Sequence, residues 1–179
     1  MKQKEKKSII RSIIDTSYIC KEGHIASSLS IVDILYVLYK EILRLNSEDR
    51  DRLILSKGHA SLGLYAVLNH FKLLNEKLET FGKFKSELTG HPNDKTKYIE
   101  ASTGSLGHGL PVGVGLALGY KIKNFKRNIY VIIGDGEANE GTIWESALLA
   151  SHHNLSNLIC VMDYNKSLLE LLLAYQKLV

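Results

Sequence analysis

The stretch "NIYVIIGDGEANEGTIWESALLASHHNLSNLICVMDYN", residues 128–165, contains the pattern from which the fold class follows. Its beginning, through Asp135, is apolar and rich in β-branched residues, which predicts a buried strand. "EGTIWESALLASHH" predicts a helix, and "NLICVMDYN" predicts a second strand. A strand, a helix and a strand joined by short turns form a βαβ unit. We therefore expect an α/β fold with a parallel sheet flanked by helices.

Each of these strands ends in a polar turn, Gly134–Gly136 after the first and Asp163–Asn165 after the second. Ligands of parallel sheets gather at the carboxyl ends of the strands. The first turn continues with Glu137 and Glu140, and close carboxylates repel one another unless a cation or abundant water is near. The sequence therefore predicts that this edge of the sheet is a binding edge.

Most common phosphate and metal motifs do not fit the acidic turn. A calcium loop counted from Asp135 needs glycine and glutamate at positions that hold Glu140 and Ser146, and neither GxxxxGK[ST] nor GxGxxG is present in the turn. Magnesium does fit, because the Asp135 carboxylate and the Asn165 amide would leave the ion positive charge for a diphosphate. A helix start capped by acidic residues explains the same turn equally well at this stage.

The remaining elements follow from periodicity. We predict helices over residues 4–20, 30–43, 60–73 and 75–84, a short strand in "LILSKGH" and an ordered loop over 85–102. The glycine-rich run 102–122 predicts a helix whose backbone closely approaches a neighbour or a ligand. Trp144 and the leucines after it are expected in the core, and Cys20 and Cys160 as buried thiols.

Composition is that of a globular domain, since the 179 residues are 45% apolar and 23% charged. The net charge of +4 is modest, and the cationic start "MKQKEKK" is interpreted as a solvated helix start rather than a nucleic-acid arm. No apolar run is long enough to cross a membrane, and the features of a signal peptide are missing. We expect neither a nucleic-acid nor a membrane partner, and a cytoplasmic location.

Five blocks in the same order resemble transketolases, and most closely the amino-terminal subunit of split transketolases. They are "KEGHIASSLSIVDILYVLY", "RDRLILSKGHASLGLYAVL", "TGHP", "EASTGSLGHGLPVGVGLALG" and the stretch from GDG to Asn165, which resembles the thiamine diphosphate motif. The resemblance covers nearly all of residues 10–166. Deoxyxylulose-phosphate synthases share the cofactor motif, but "LSKGHA" and "STGSLGHG" favour transketolase.

The resemblance implies thiamine diphosphate and Mg²⁺ as cofactors. Asp135, Asn165 and a backbone carbonyl near Ser167 are the implied metal ligands. The diphosphate is expected against Gly134, Gly136 and Glu137, and the cofactor rings against Gly104, Ser105 and Leu106.

The resemblance also implies roles for three histidines and one glutamate. His24 and His59 match residues that contact donor hydroxyls and the cofactor, and His91 matches one that faces the substrate. Imidazole suits such positions because its charge can change near neutral pH. Glu140 matches a glutamate at the subunit interface.

The implied reaction transfers a two-carbon ketol unit from a ketose phosphate to an aldose phosphate. The glutamate on the pyrimidine side would come from a separate chain, the transketolase carboxy-terminal subunit, so activity is expected only with that partner. Two alternatives remain: a non-catalytic truncated remnant that binds little or no cofactor, and another thiamine enzyme, such as a deoxyxylulose-phosphate synthase-like subunit.

The end of the chain departs from the family pattern. Residues 1–166 are expected to form a partial thiamine diphosphate-binding domain of the pyrophosphate type that is incomplete at its carboxyl end. Residues 167–179, "SLLELLLAYQKLV", are expected to be a tail that does not match the family, which indicates a truncated product.

Overall fold

The computed structural model describes residues 3–46 and 49–166. Within them lies a three-stranded sheet in the order β1-β2-β3, formed by β1 (Arg52–Leu55), β2 (Ile129–Gly134) and β3 (Leu158–Asp163). Both pairings are parallel, and Ile129 of β2 lies opposite both Arg52 and Leu158. The predicted parallel sheet and its βαβ unit are therefore confirmed.

Helices cover both faces of the sheet. They are α1 (Gln3–Cys20), α2 (Ile25–Ser30), α3 (Val32–Val37), α4 (Ser61–His70), α5 (Gly109–Ile122) and α6 (Gly141–His152). Tyr130 and Ile132 of β2 pack among the first four helices, whereas Val131 and Ile133 pack under α5 and α6. Successive side chains of a strand point to opposite faces, so one strand supplies two cores.

Two predicted helices differ from the structure. In place of one helix over 30–43, α2 and α3 meet at Ile31 and a π-helical turn, Leu38–Ile42, follows. The helix predicted over 75–84 is wrong, since a single 3₁₀ turn, Leu78–Thr80, stands there. Leu78 and Phe81 are both buried, and Gly82 has a φ of +68° that ends helical geometry. One turn is enough to dock this segment on the core.

The close approach predicted from the glycine-rich run is confirmed at the interface of α5 with the sheet. A Cβ added to Gly113 would lie 2.6 Å from Cγ2 of Val131 on β2. The missing side chain lets the helix rest directly on the strand, so at this position the glycine serves packing.

The expected burial of Trp144 and of Cys160 is wrong. Trp144 is 62% exposed and Leu148 is 73% exposed, because α6 turns the side that carries Ile143 and Ser146 towards the core. Cys160 is exposed on β3, and Cys20 is half-buried.

Two further sequence-based expectations concern the tail of the chain and membrane-spanning segments. The tail 167–179 and the implied metal ligand Ser167 lie outside the described residues. Among the helices of the described part, none combines the length and the apolar character needed to cross a bilayer.

Candidate cofactor site

A cavity of about 400 Å³ opens at the carboxyl edge of the sheet, where β2 and β3 end. Its lining residues are Ala26, Ser27, Ser30, Lys57, His59, Leu106, Gly134, Asp135, Gly136, Glu137 and Asn165. Most of the predicted cofactor residues are therefore neighbours in space. They come from loops that the parallel sheet brings to one edge.

Asp135 and Asn165, the two predicted side-chain metal ligands, both line this cavity. The Asp135 N–H donates to the Asp163 carbonyl at 3.2 Å, which ties the turn after β2 to the end of β3. One Asp135 carboxylate oxygen accepts a hydrogen bond from the Gly136 N–H at 2.9 Å.

The oxygen donors of Asp135 and Asn165 suit Mg²⁺ better than they suit a metal ion that is bound by protein ligands alone. Within residues 3–46 and 49–166, no three His, Cys, Asp or Glu side chains cluster so as to hold a metal ion. Mg²⁺ is commonly held by one or two protein oxygens together with substrate phosphates. The carboxylate of Asp135 and the amide of Asn165 fit that pattern.

The alternative of a helix start capped by acidic side chains does not match the geometry. Helix α6 begins at Gly141, and Glu140 at its N-cap position makes no side-chain capping hydrogen bond. Glu140 is exposed to solvent instead. The acidic turn therefore needs another explanation than capping.

Glu137 is the most buried acid of the turn, with 2% of the residue exposed. Its carboxylate accepts hydrogen bonds from the Gly107 N–H at 2.8 Å, from the Gly134 N–H at 3.1 Å and from the Ser56 hydroxyl. Burying a carboxylate is costly unless hydrogen bonds of this kind replace its contacts with water. Glu137 thereby joins three segments of the cavity wall.

The segment Gly104–Gly107 borders the cavity through Leu106. A Cβ on Gly104 would lie 3.2 Å from Cδ2 of His91, so this glycine packs against the imidazole. At the other end, the Thr142 hydroxyl donates to the Gly107 carbonyl at 2.9 Å. Leu106 lines the cavity, and Ser105 is exposed beside it.

The three predicted histidines, which come from separate sequence blocks, are brought together. The rings of His24 and His59 lie with centroids 5.6 Å apart in an edge-on arrangement. Partial burial lowers the pKa of His59, and the nearby Lys57, His24 and His91 lower it further. The lowered pKa favours the neutral imidazole, which can both donate and accept a hydrogen bond.

Sequence reasoning missed part of the cavity floor. Lys57 and Asp163 form a buried ion pair, with 2.6 Å between Nζ and Oδ2, and Ser30 donates to the same carboxylate oxygen at 2.6 Å. Lys57 follows the end of β1, so its position at the carboxyl end of an apolar strand was the available signal. Ser30, at the end of α2, carries no comparable local signal.

Comparisons with known proteins identify the family of this chain. The family model described as transketolase, thiamine diphosphate binding domain, matches residues 2–170. The chain is 38% identical over 162 residues to an apulose-4-phosphate transketolase subunit of Phocaeicola vulgatus, covering 87% of this chain and 58% of that protein. It is 46% identical over 151 residues to the protein of the same name from Actinobacillus succinogenes, covering 80% and 55%.

Solved structures give the same result. The transketolase from Leishmania mexicana superimposes with a TM-score of 0.78 and 32% identity, over 89% of this chain and 26% of that one. The chain spans about half the length of the curated relatives it matches. The chain belongs to the transketolase family and carries that family's thiamine diphosphate-binding domain.

Proposed function

We propose that this chain is the amino-terminal part of a transketolase that holds thiamine diphosphate and Mg²⁺ at the carboxyl edge of its sheet. The observation that carries the proposal is the convergence of Asp135, Asn165 and His59 on one cavity. Their loops are distant in sequence, and the cavity has the size of a small-molecule site. A cytoplasmic location belongs to the same proposal.

Bound thiamine diphosphate would supply the electron sink that ketol transfer needs. The chain's own residues would bind and orient. Asp135 and Asn165, with a carbonyl near Ser167, would give oxygen ligands to Mg²⁺, and Gly134 and Gly136 would let the diphosphate approach the backbone closely. Gly104, Ser105 and Leu106 would support the cofactor rings, and Glu137 would brace the wall beside the diphosphate.

The histidines would contact the substrate. His24, His59 and His91 form a group beside the cavity and would hydrogen-bond the hydroxyls of a ketose phosphate and an aldose phosphate. Neutral His59 suits this task, because a hydroxyl both donates and accepts. The names of two relatives include apulose-4-phosphate, which is in line with a phosphorylated sugar as substrate for this chain too.

The proposal includes a partner, the transketolase carboxy-terminal subunit, which would contribute the glutamate on the pyrimidine side. Trp144 and Leu148 expose large apolar surfaces on α6, just beyond Glu140. Exposed aromatic and aliphatic side chains grouped on one surface are typical of a protein–protein interface. Glu140 would lie at the edge of that interface.

The first experiment is a titration of the purified chain with thiamine diphosphate, with and without Mg²⁺, followed by tryptophan fluorescence. Trp144 is the only tryptophan of the sequence, and its indole N–H donates to the Ala138 carbonyl in the acidic turn at 2.8 Å. Its emission therefore reports directly on this turn. We expect a saturable, Mg²⁺-dependent change that is absent from Asp135→Ala.

The second experiment measures ketol transfer after the chain is mixed with the carboxy-terminal subunit of a transketolase, with a two-subunit transketolase as positive control. Saturable binding without transfer would point to a different thiamine enzyme, which a donor screen that includes pyruvate would identify. Absence of Mg²⁺-dependent binding from a folded chain would contradict the proposal and favour a non-catalytic remnant.

A further inference from the structure

The floor of the cavity contains an ion pair between two residues that are distant in sequence. Lys57 Nζ lies 2.6 Å from Asp163 Oδ2, and the two side chains are only 3% and 7% exposed. The Ser30 hydroxyl donates to the same oxygen at 2.6 Å and lies 3.4 Å from Lys57 Nζ. The end of α2, the segment after β1 and the end of β3 are therefore joined at one carboxylate oxygen.

Asp163 also contacts both residues that would bind the metal. Its backbone carbonyl accepts the Asp135 N–H at 3.2 Å. Its side-chain Oδ2 lies 3.4 Å from Nδ2 of Asn165. Asp163 is thus in contact with Asp135 through the main chain and with Asn165 through the side chain.

These contacts give the Asn165 amide a preferred direction. An amide has a donor end and an acceptor end, and only the oxygen can bind a cation. Because Nδ2 lies towards the Asp163 carboxylate, this contact determines that the amide oxygen is the end turned away from that carboxylate. Lys57 balances the charge of Asp163, so this second carboxylate stays engaged on the floor instead of competing for the metal.

We propose that Lys57 and Asp163 act as a positioning pair that orients Asp135 and Asn165 for Mg²⁺ and so sets the affinity for the metal–diphosphate complex. This inference rests on the proposed function. A buried ion pair contributes little net stability compared with well-packed apolar residues, so stability alone is a weak reason for one here. Residues that orient metal ligands typically change metal affinity about 10–100-fold when they are altered.

The test measures Mg²⁺-supported thiamine diphosphate binding to the full chain by Trp144 fluorescence and by calorimetry, with urea unfolding in parallel. We expect Asp163→Asn and Lys57→Met each to weaken the apparent Mg²⁺ affinity about 10–100-fold. The double variant Lys57→Met/Asp163→Asn removes both buried charges and keeps the chain foldable if either single variant does not fold. This double variant should also bind Mg²⁺ more weakly than the wild type, because no carboxylate then holds the Asn165 amide.

Asp51→Asn is the matched control. Asp51 is also buried, pairs with Arg44 at 2.6 Å, and directly precedes β1, at the end of the sheet opposite to the cavity. The Asp51→Asn substitution should lower the free energy of unfolding and leave the affinity for Mg²⁺ and thiamine diphosphate unchanged.

The outcomes separate the two proposals. If the wild-type chain binds and the double variant binds equally well, the positioning role is wrong while the proposed function stands. An equal loss of affinity in the Asp51→Asn control would also overturn it, since any buried pair would then have the same effect. If the folded wild-type chain does not bind Mg²⁺ and thiamine diphosphate, the proposed function fails and this inference fails with it.

Discussion

The carboxylate of Glu137 accepts a hydrogen bond from the backbone N–H of Gly107 at 2.8 Å, across 30 residues of sequence. This contact connects the turn after β2 to the loop before α5. The same side chain accepts from the Gly134 N–H and from the Ser56 hydroxyl. The two walls of the candidate cofactor site are therefore held together from inside the protein.

Glu137→Gln should destabilise the chain by about 1–3 kcal/mol. The amide keeps the shape but replaces one acceptor oxygen with a donor, which then faces an N–H or hydroxyl donor without a partner. Urea unfolding followed by circular dichroism measures the change.

Glu145→Gln is the matched control, because Glu145 is exposed on α6 and the substitution removes the same charge. We expect it to stay within about 0.5 kcal/mol of wild type. Equal effects of the two substitutions would show that the buried contacts of Glu137 contribute nothing beyond its charge.

Gly107→Ala should destabilise the chain by more than about 1 kcal/mol. Gly107 has a φ of +84°, and an added Cβ would lie 2.4 Å from the Thr142 hydroxyl oxygen. The strain falls on the segment that would support the cofactor, so cofactor affinity should fall together with stability.

Gly115→Ala provides the opposite control within α5. Apart from its chain neighbours and the backbone of its own helix, a Cβ at Gly115 meets no described atom within 4 Å. Alanine is also the better helix former, so we expect a gain of about 0.5–1 kcal/mol. A similar loss in both variants would contradict the steric explanation for Gly107.

Acid should destabilise the folded chain in part through His59. Burial and the nearby cationic Lys57 lower its pKa in the folded chain, whereas the unfolded residue has a pKa of about 6.5. The unfolded state therefore binds the proton more readily, and the stability contributed by neutral His59 is complete above that value and is lost as the pH falls below it.

The measurement compares the pH dependence of urea midpoints for wild type and His59→Gln, which cancels the contributions of the carboxylates. The wild type should lose more stability than the variant between about pH 7 and pH 5. An equal pH dependence of the urea midpoints in the two proteins would show that His59 binds its proton equally well in the folded and the unfolded state.

Leu148→Asp should weaken association with the carboxy-terminal subunit by about tenfold or more and leave the isolated chain stable. Leu148 is 73% exposed on α6, near Trp144 and Glu140. Sedimentation velocity of the mixed subunits measures the association. Ile122→Asp is the control, because Ile122 is 72% exposed at the far end of α5, and it should bind the partner normally.

Local patterns were enough to predict the central part of the fold. The apolar runs before Gly134 and before Asp163, separated by one helix, require a parallel βαβ unit, and the polar turns after them therefore share an edge. Periodicity was less informative for the segment after His70, where contacts of Leu78 and Phe81 with the core, rather than helix propensity, determine the backbone.

Local residue patterns specify most of the strands and helices and show which turns carry glycine and acidic residues. Which side chains meet depends instead on the tertiary arrangement of these elements. Lys57 and Asp163 lie 106 residues apart and pair because β1 and β3 flank β2 in parallel register. Trp144 is exposed because α6 turns another face to the sheet. Such contacts depend on strand order and helix rotation, which local residue patterns do not encode.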